Sequence, residues 1–172
     1  MQLTPKMIAY LAHEEGLVQQ AYLDSGNVWT WALGVTNASG HQVYPRYWNN
    51  QQSLEHCIDV SVWLIKNKYW PAVDAALPNL ATEAQGAAAL GFHWNSGKFP
   101  KYAKDFSKSV EIRNKGLLDD RRKREQKLWY KGEWPPLACP VYPVRGYDKP
   151  RPDFGQGKYQ DILPLIVAAL KK

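Results

Sequence analysis

At 172 residues the chain is long enough for one well-buried domain, or one domain with an appendage. Its 45% apolar and 22% charged content exclude general disorder. The formal charge of +6 favours encounters with anionic partners (nucleic acid, anionic lipid, an acidic wall polymer) and says nothing about fold. Helix signals begin at Thr4, a candidate N-cap, with Pro5 in the first helical position. Met7, Ile8, Leu11 and Ala12 form an apolar stripe, and Gly16 is a natural stop. The next segment, "AYLDSGNVWTWALGV" over 21–35, is aromatic and β-branched with "DSGN" as a turn, which predicts a small antiparallel hairpin. Ser39–Gly40 opens a further loop.

From Ser53 the texture is helical. "SLEHCIDVSVWLIKNKYW" carries Leu54, Ile58, Val62 and Ile65 on one stripe, which Pro71 is expected to end or kink. "TEAQGAAALGFHWNSG" begins with Thr82 and Gln85 in a capping-box arrangement and stops at Gly97. "LLDDRRKREQKLWYKG" has acids in its first turn, and basic residues and Gly132 at its end, in accord with the helix dipole. After Gly132, "EWPPLACPVYPVRGYDKPRPDFGQG" is dense in Pro and Gly and predicts irregular extended chain packed along the domain. "DILPLIVAALKK" predicts a short docked helix with Ile162, Ile166 and Leu170 on one face. The expected organisation is therefore a domain over 1–132 and a Pro-rich extension with a terminal helix over 133–172.

The chemistry concentrates in "HEEGLVQQAYLDSGNVWT" at 13–30. A glycosidase needs two carboxyl groups with different tasks, one giving a proton and one ionised to hold charge or activate water. A glutamate at 14 or 15 would close the last turn of the first helix. Backbone carbonyls there disfavour a negative charge by about 0.3–1 kcal/mol, and burial must supply the rest. Asp24 sits instead at a polar turn beside Ser25, Gly26 and Asn27. A helical wheel does not choose between Glu14 and Glu15, because both lie at the margin of the apolar stripe.

"EGLVQQAYLDSGNVWT" resembles the active-site signature of phage-type lysozymes (endolysins) of glycoside hydrolase family 24. In that signature a Glu before Gly is followed by Asp and then Thr at the spacing of Glu15, Asp24 and Thr30. "GFHWNSG" resembles the family's aromatic–Asn–x–Gly helix end, and "LLDDRRKREQKLW" its late Arg-rich helix. The blocks span roughly residues 7–130. The resemblance implies an α+β, lysozyme-like fold: a small antiparallel sheet, a mainly helical lobe and an active-site cleft between them. It implies a muramidase cutting the β-1,4 bond between N-acetylmuramic acid and N-acetylglucosamine, usually with inversion. Glu15 would be the general acid, with Asp24 and Thr30 placing the water. Trp29, Trp31, His93 and Asn95 are expected at the substrate.

Two departures stand out: Ala32 and Val35 replace a Gly and a His of the family pattern, and the segment between "HWNSG" and the Arg-rich helix is short. The Pro-rich extension is expected to cover what that shortening exposes.

Other readings weigh less. "HEEGL" fails as a zinc-protease helix because Leu17 stands where the second His must be, and His13, His41 and His56 show no ligand spacing. Cys57 and Cys139 likewise make no metal or redox spacing. No metal or cofactor is expected. "RRKREQK" at 121–127 is the best argument for nucleic acid, against a solvated helix whose Leu118, Glu125 and Trp129 face inward. The alternatives are a lytic transglycosylase on the same fold, or a non-catalytic wall- or nucleic-acid-binding protein. The expected partner is the peptidoglycan glycan strand, met by a monomer without nucleic acid or stable membrane insertion. With no signal-peptide core, synthesis in the host cytoplasm is expected, with action on the wall after release or from a virion.

Overall fold

The structure is a computed structural model describing residues 1–172. Thr4 opens α1 (Pro5–Glu15): its Oγ1 accepts from the Met7 amide at 3.3 Å, and Pro5, having no N–H to lose, takes the first position. Gly16 ends the helix at φ +69°, a conformation that favours glycine. The hairpin follows as β1 (Val18–Leu23), β2 (Trp29–Ala32) and β3 (Val35–Thr36), an antiparallel sheet in that order. Tyr22 lies opposite Thr30, and Leu23 opposite Trp29.

α2 (Leu54–Leu64) passes through a π-helical turn (Ile65–Tyr69) into α3 (Trp70–Ala76). Pro71 thus deforms the helical path without ending it; a residue lacking an N–H tolerates the widened ladder at the start of α3. The capping box is present at α4 (Glu83–Ser96), with Gln85 N–H to Thr82 Oγ1 at 3.2 Å and Thr82 N–H to Gln85 Oε1 at 2.9 Å. Short α5 (Phe99–Tyr102) and a 3-10 turn (Phe106–Glu111) lead to α6 (Asp119–Lys131), closed by Gly132 at φ +66°.

The Pro-rich extension holds more regular structure than its composition suggests. β4 (Cys139–Val141) pairs with β7 (Lys158–Gln160), and β5 (Val144–Arg145) with β6 (Arg151–Pro152). The terminal helix is α7 (Leu163–Leu170), with Ile162 and Ile166 buried and Leu170 half-buried.

The chain divides into two compact units. The first is Met1–Glu14 with Ile65–Leu137, and the second is Glu15–Leu64 with Ala138–Lys172. In the first, α4 is buried along nearly its whole length, as a helix apolar on all sides must be. Gly86 lets α1 approach it: a Cβ there would lie 2.7 Å from the Met7 methyl. Phe92, Phe106 and Trp129 complete the core, with Phe106 stacked on Trp129 at 4.5 Å.

In the second unit the extension is built into the hairpin. Leu17 N–H donates to Pro140 O at 2.8 Å, and Tyr142 N–H to Leu17 O at 2.9 Å. α7 packs on α2, and the Lys172 ammonium reaches Asp59 at 2.5 Å. Cys57 and Cys139 are buried thiols outside any disulfide, each pushed up to about 12 by burial, and so are poor nucleophiles. No helix is long and apolar enough to cross a membrane.

Beneath the sheet, the Tyr47 hydroxyl lies 2.9 Å from His41 Nε2 and 3.1 Å from His56 Nε2. One hydroxyl proton serves one imidazole, so the other must donate back, an arrangement met by neutral rings. Burial lowers the His41 pKa, with Arg46 and His56 acting in the same sense. A base lowered on folding binds its proton more readily when unfolded. Its stabilising effect is therefore complete above about pH 6.5 and is lost as pH falls toward the folded value. Thermal melts at pH 7.5, 6 and 5 are expected to show declining Tm, with a shallower decline for His41→Gln. Equal slopes would exclude His41 as the sensor.

Candidate active site

The two adjacent glutamates have different surroundings. Glu14 takes a bidentate ion pair from Arg124, Nε to Oε1 and Nη2 to Oε2, both at 2.8 Å, and its side chain is 1% exposed. Both its oxygens are committed to a structural bond within the first unit. Glu15 is the last residue of α1, half-buried, and belongs to the second unit with Asp24 and Thr30.

Asp24 anchors its own turn. Its Oδ1 accepts from the amides of Gly26 (2.8 Å) and Val28 (2.9 Å), and Oδ2 takes no hydrogen bond from the protein. Two backbone donors on one oxygen stabilise a carboxylate while leaving the other oxygen for a water or a developing cation. Thr30 is 4% exposed, and its hydroxyl donates to Val28 O at 2.9 Å. With its proton engaged, that hydroxyl is left to accept from a neighbour.

Tyr22 links these groups. Its phenol is raised first by burial, then by the negative charges of Glu15 and of Asp24. Both carboxylates therefore lie within electrostatic reach of one phenol, carried by a residue that pairs with Thr30 in the sheet. The aromatic before the acid is visible in the sequence, and the strand register sets it against Thr30.

The residues expected at the substrate fare unevenly. Trp29 is half-exposed but lies face to face with Tyr44 at 4.3 Å, so one side of its ring is covered. Trp31 is fully buried, stacked on Tyr47 at 3.9 Å and donating from Nε1 to Gln19 O. It is a core residue with no surface to offer a sugar. His93 is 9% exposed, is lowered by burial, and accepts from the Phe99 amide at Nδ1. Asn95 Oδ1 takes the Arg122 guanidinium at 2.5 Å. His93 and Asn95 thus help build the end of α4 in the first unit. The departure at Ala32 also has a local cost: it holds φ +54°, where the family pattern has a glycine that would adopt it freely.

The Arg-rich run departs from a purely solvated basic face. Glu125 is fully buried, as expected, but Arg121 and Arg122 are buried with it. Arg121 Nε reaches Glu125 Oε1 at 3.0 Å, Arg122 Nη1 bonds Oε2, and Arg121 Nη2 donates to Gly91 O at 2.8 Å. Arg124 is held by Glu14, and Lys123 pairs with Asp120 at 3.6 Å on the exposed face, where Lys127 also lies.

Arg151, in the extension, reaches the Asp24 turn and was not indicated by any sequence motif. Its guanidinium donates to Leu23 O at 2.8 Å, to Asp24 O, and to Asn27 Oδ1 at 2.6 Å.

No protein-family model matches the chain. No curated protein matches it in sequence. Among solved structures, an endolysin from Escherichia coli O157:H7 phage FAHEc1 superposes with a TM-score of 0.62 at 20% identity, covering 79% of this chain and 98% of that one. The muramidase domain of SpmX from Asticaccaulis excentricus gives 0.55 at 16%, covering 76% and 98%. A mutant of the P22 lysozyme gives 0.52 at 21%, covering 75% and 98%. The chain has the α+β fold of the phage-type lysozymes.

Proposed function

We propose that the protein is a peptidoglycan-degrading muramidase of the kind the glycoside hydrolase family 24 signature implies. It hydrolyses the β-1,4 bond between N-acetylmuramic acid and N-acetylglucosamine. Glu15 protonates the glycosidic oxygen; Asp24 balances positive charge at the sugar and, with Thr30, orients the attacking water. The observation that carries this reading is the division of labour between the glutamates. Glu14 is consumed by Arg124, while Glu15 shares the electrostatic environment of Tyr22 with an Asp24 whose Oδ2 remains available. Two-carboxyl glycoside hydrolysis needs one acid and a second carboxylate, and this reading gives those tasks to Glu15 and Asp24. The net charge of +6 favours approach to an anionic wall. The protein acts as a monomer on the wall, after release from the cell or from a virion, without metal, cofactor, nucleic acid or membrane insertion.

A lytic transglycosylase on this fold needs the Glu but no water-orienting Asp, and the prepared Asp24 turn favours hydrolysis. Purified peptidoglycan digested to completion is expected to yield fragments ending in reducing N-acetylmuramic acid, one water heavier per cut. Mass spectrometry showing only 1,6-anhydro ends would replace hydrolase with transglycosylase. Sedimentation with the polymer and no new ends would replace both with a binding protein.

A further inference from the structure

The turn that presents Asp24 is held from within by local hydrogen bonds and by no buried side chain of its own. Ser25 to Val28 are exposed, and Asn27 adopts the left-handed conformation at φ +59°. Inside the turn the bonds are local: Asp24 N–H to Val28 O at 3.0 Å, Asn27 N–H to Asp24 O at 3.0 Å, and the two amides on Oδ1. Such a loop, exposed and without buried apolar contacts, belongs to the low-stability end of a structure. General acid–base chemistry nevertheless tolerates little misplacement of the group that handles water.

We propose that Arg151 is a positioning residue for the reaction, and that the Pro-rich extension supplies it. Its planar fork spans the turn, with Nη1 on the carbonyls of Leu23 and Asp24 at the entry and Nη2 on the Asn27 side chain at the left-handed corner. Guanidinium geometry suits this in a way a lysine ammonium does not, because two separate arms are fixed in one plane. Arg151 is itself held: it lies in β6, paired to Arg145 on β5, and the preceding Pro150 O accepts from the Leu23 amide at 2.8 Å. The same extension packs against the residue after Glu15, since a Cβ at Gly16 would lie 2.6 Å from the Tyr142 ring. Glu15 and Asp24 are thus each followed by backbone that residues 138–152 hold in place. Arg151 touches no reacting atom; it acts by fixing where Asp24 Oδ2 points.

The inference rests on the muramidase reading, and its test separates the two. In Arg151→Ala, kcat on purified peptidoglycan is expected to fall about 10–100-fold, with KM changed less than threefold. Guanidinium ion at millimolar concentration restores part of the loss, and Arg151→Lys retains an intermediate rate. The independent readout is amide exchange: the Gly26 and Val28 amides, protected by Asp24 Oδ1, exchange faster in Arg151→Ala while the amides of α4 do not. Faster exchange at those two positions supports the clamp even if the wild-type protein cleaves no peptidoglycan, which would sink only the muramidase reading. Unchanged exchange and unchanged kcat overturn the clamp. A loss of kcat that tracks loss of folded protein, with α4 amides exchanging as fast as the turn, also overturns it and makes Arg151 merely structural.

Discussion

Glu15→Gln is expected to reduce peptidoglycan cleavage by about 10²–10⁴-fold, the usual contribution of a positioned general acid. The substitution keeps the shape of the side chain and a hydrogen-bonding group, but an amide has no proton to give to a leaving oxygen. Folding should survive, because the residue is half-buried at the end of α1 and Gly16 terminates the helix regardless. Glu14→Gln is the matched control. It breaks a bidentate pair whose carboxylate is almost wholly enclosed, so it costs stability, about 1–3 kcal/mol, rather than chemistry. The measurement is reducing-end release at saturating substrate, with Tm recorded for each variant. The assignment fails if Glu15→Gln turns over like wild type, or if Glu14→Gln is the inactive one while still folded.

Glu125→Ala should have the largest effect on stability, about 3–5 kcal/mol. Two buried guanidinium groups, Arg121 and Arg122, would lose their shared counter-charge in the heart of the first unit. Neither can move to water without unpacking α6 from α4: Arg121 is tied to Gly91 O, and Arg122 lies over the Phe92 ring at 4.6 Å. A domain of this size commonly has about 5–15 kcal/mol in all, so at least about a fifth is at stake. At about 2–4 °C per kcal/mol the drop in Tm is roughly 6–20 °C, read by circular dichroism. Glu125→Gln, which keeps one acceptor oxygen but sets an NH2 donor against the other guanidinium, should fall between. A Tm within about 2 °C of wild type in Glu125→Ala would mean the arginines find other partners cheaply.

Local signals in the sequence were legible where the physics is local. Thr4–Pro5, the Thr82–Gln85 box and the glycines at 16, 97 and 132 mark helix ends because capping depends on residues within one turn. Glu15, Asp24 and Thr30, the proposed catalytic residues, were singled out through the spacing of one short motif. What the sequence concealed depends on partners far along the chain. The wheel could not tell Glu14 from Glu15 because the difference is Arg124, 110 residues later. Trp31 read as a sugar-facing aromatic because alternation along a four-residue strand cannot show that both of its faces are covered. The Arg-rich helix read as solvated because hydropathy treats arginine as polar wherever it lies. Its i,i+3 and i,i+4 spacing to Glu125 was a usable clue to a buried network. The extension read as irregular because its strands are two or three residues long, too short to set a period.

The second unit is assembled from two stretches of chain separated by all of 65–137. On a ribosome, the hairpin bearing Asp24 and Thr30 emerges well before its partners at Pro140, Pro150 and Arg151 exist. At about 5–20 residues per second, it waits several seconds with Leu17 and Leu23 unpaired to the extension. The Asp24 turn therefore gains its outer bonds only after residues 140–151 have been made, however early its own strands emerge.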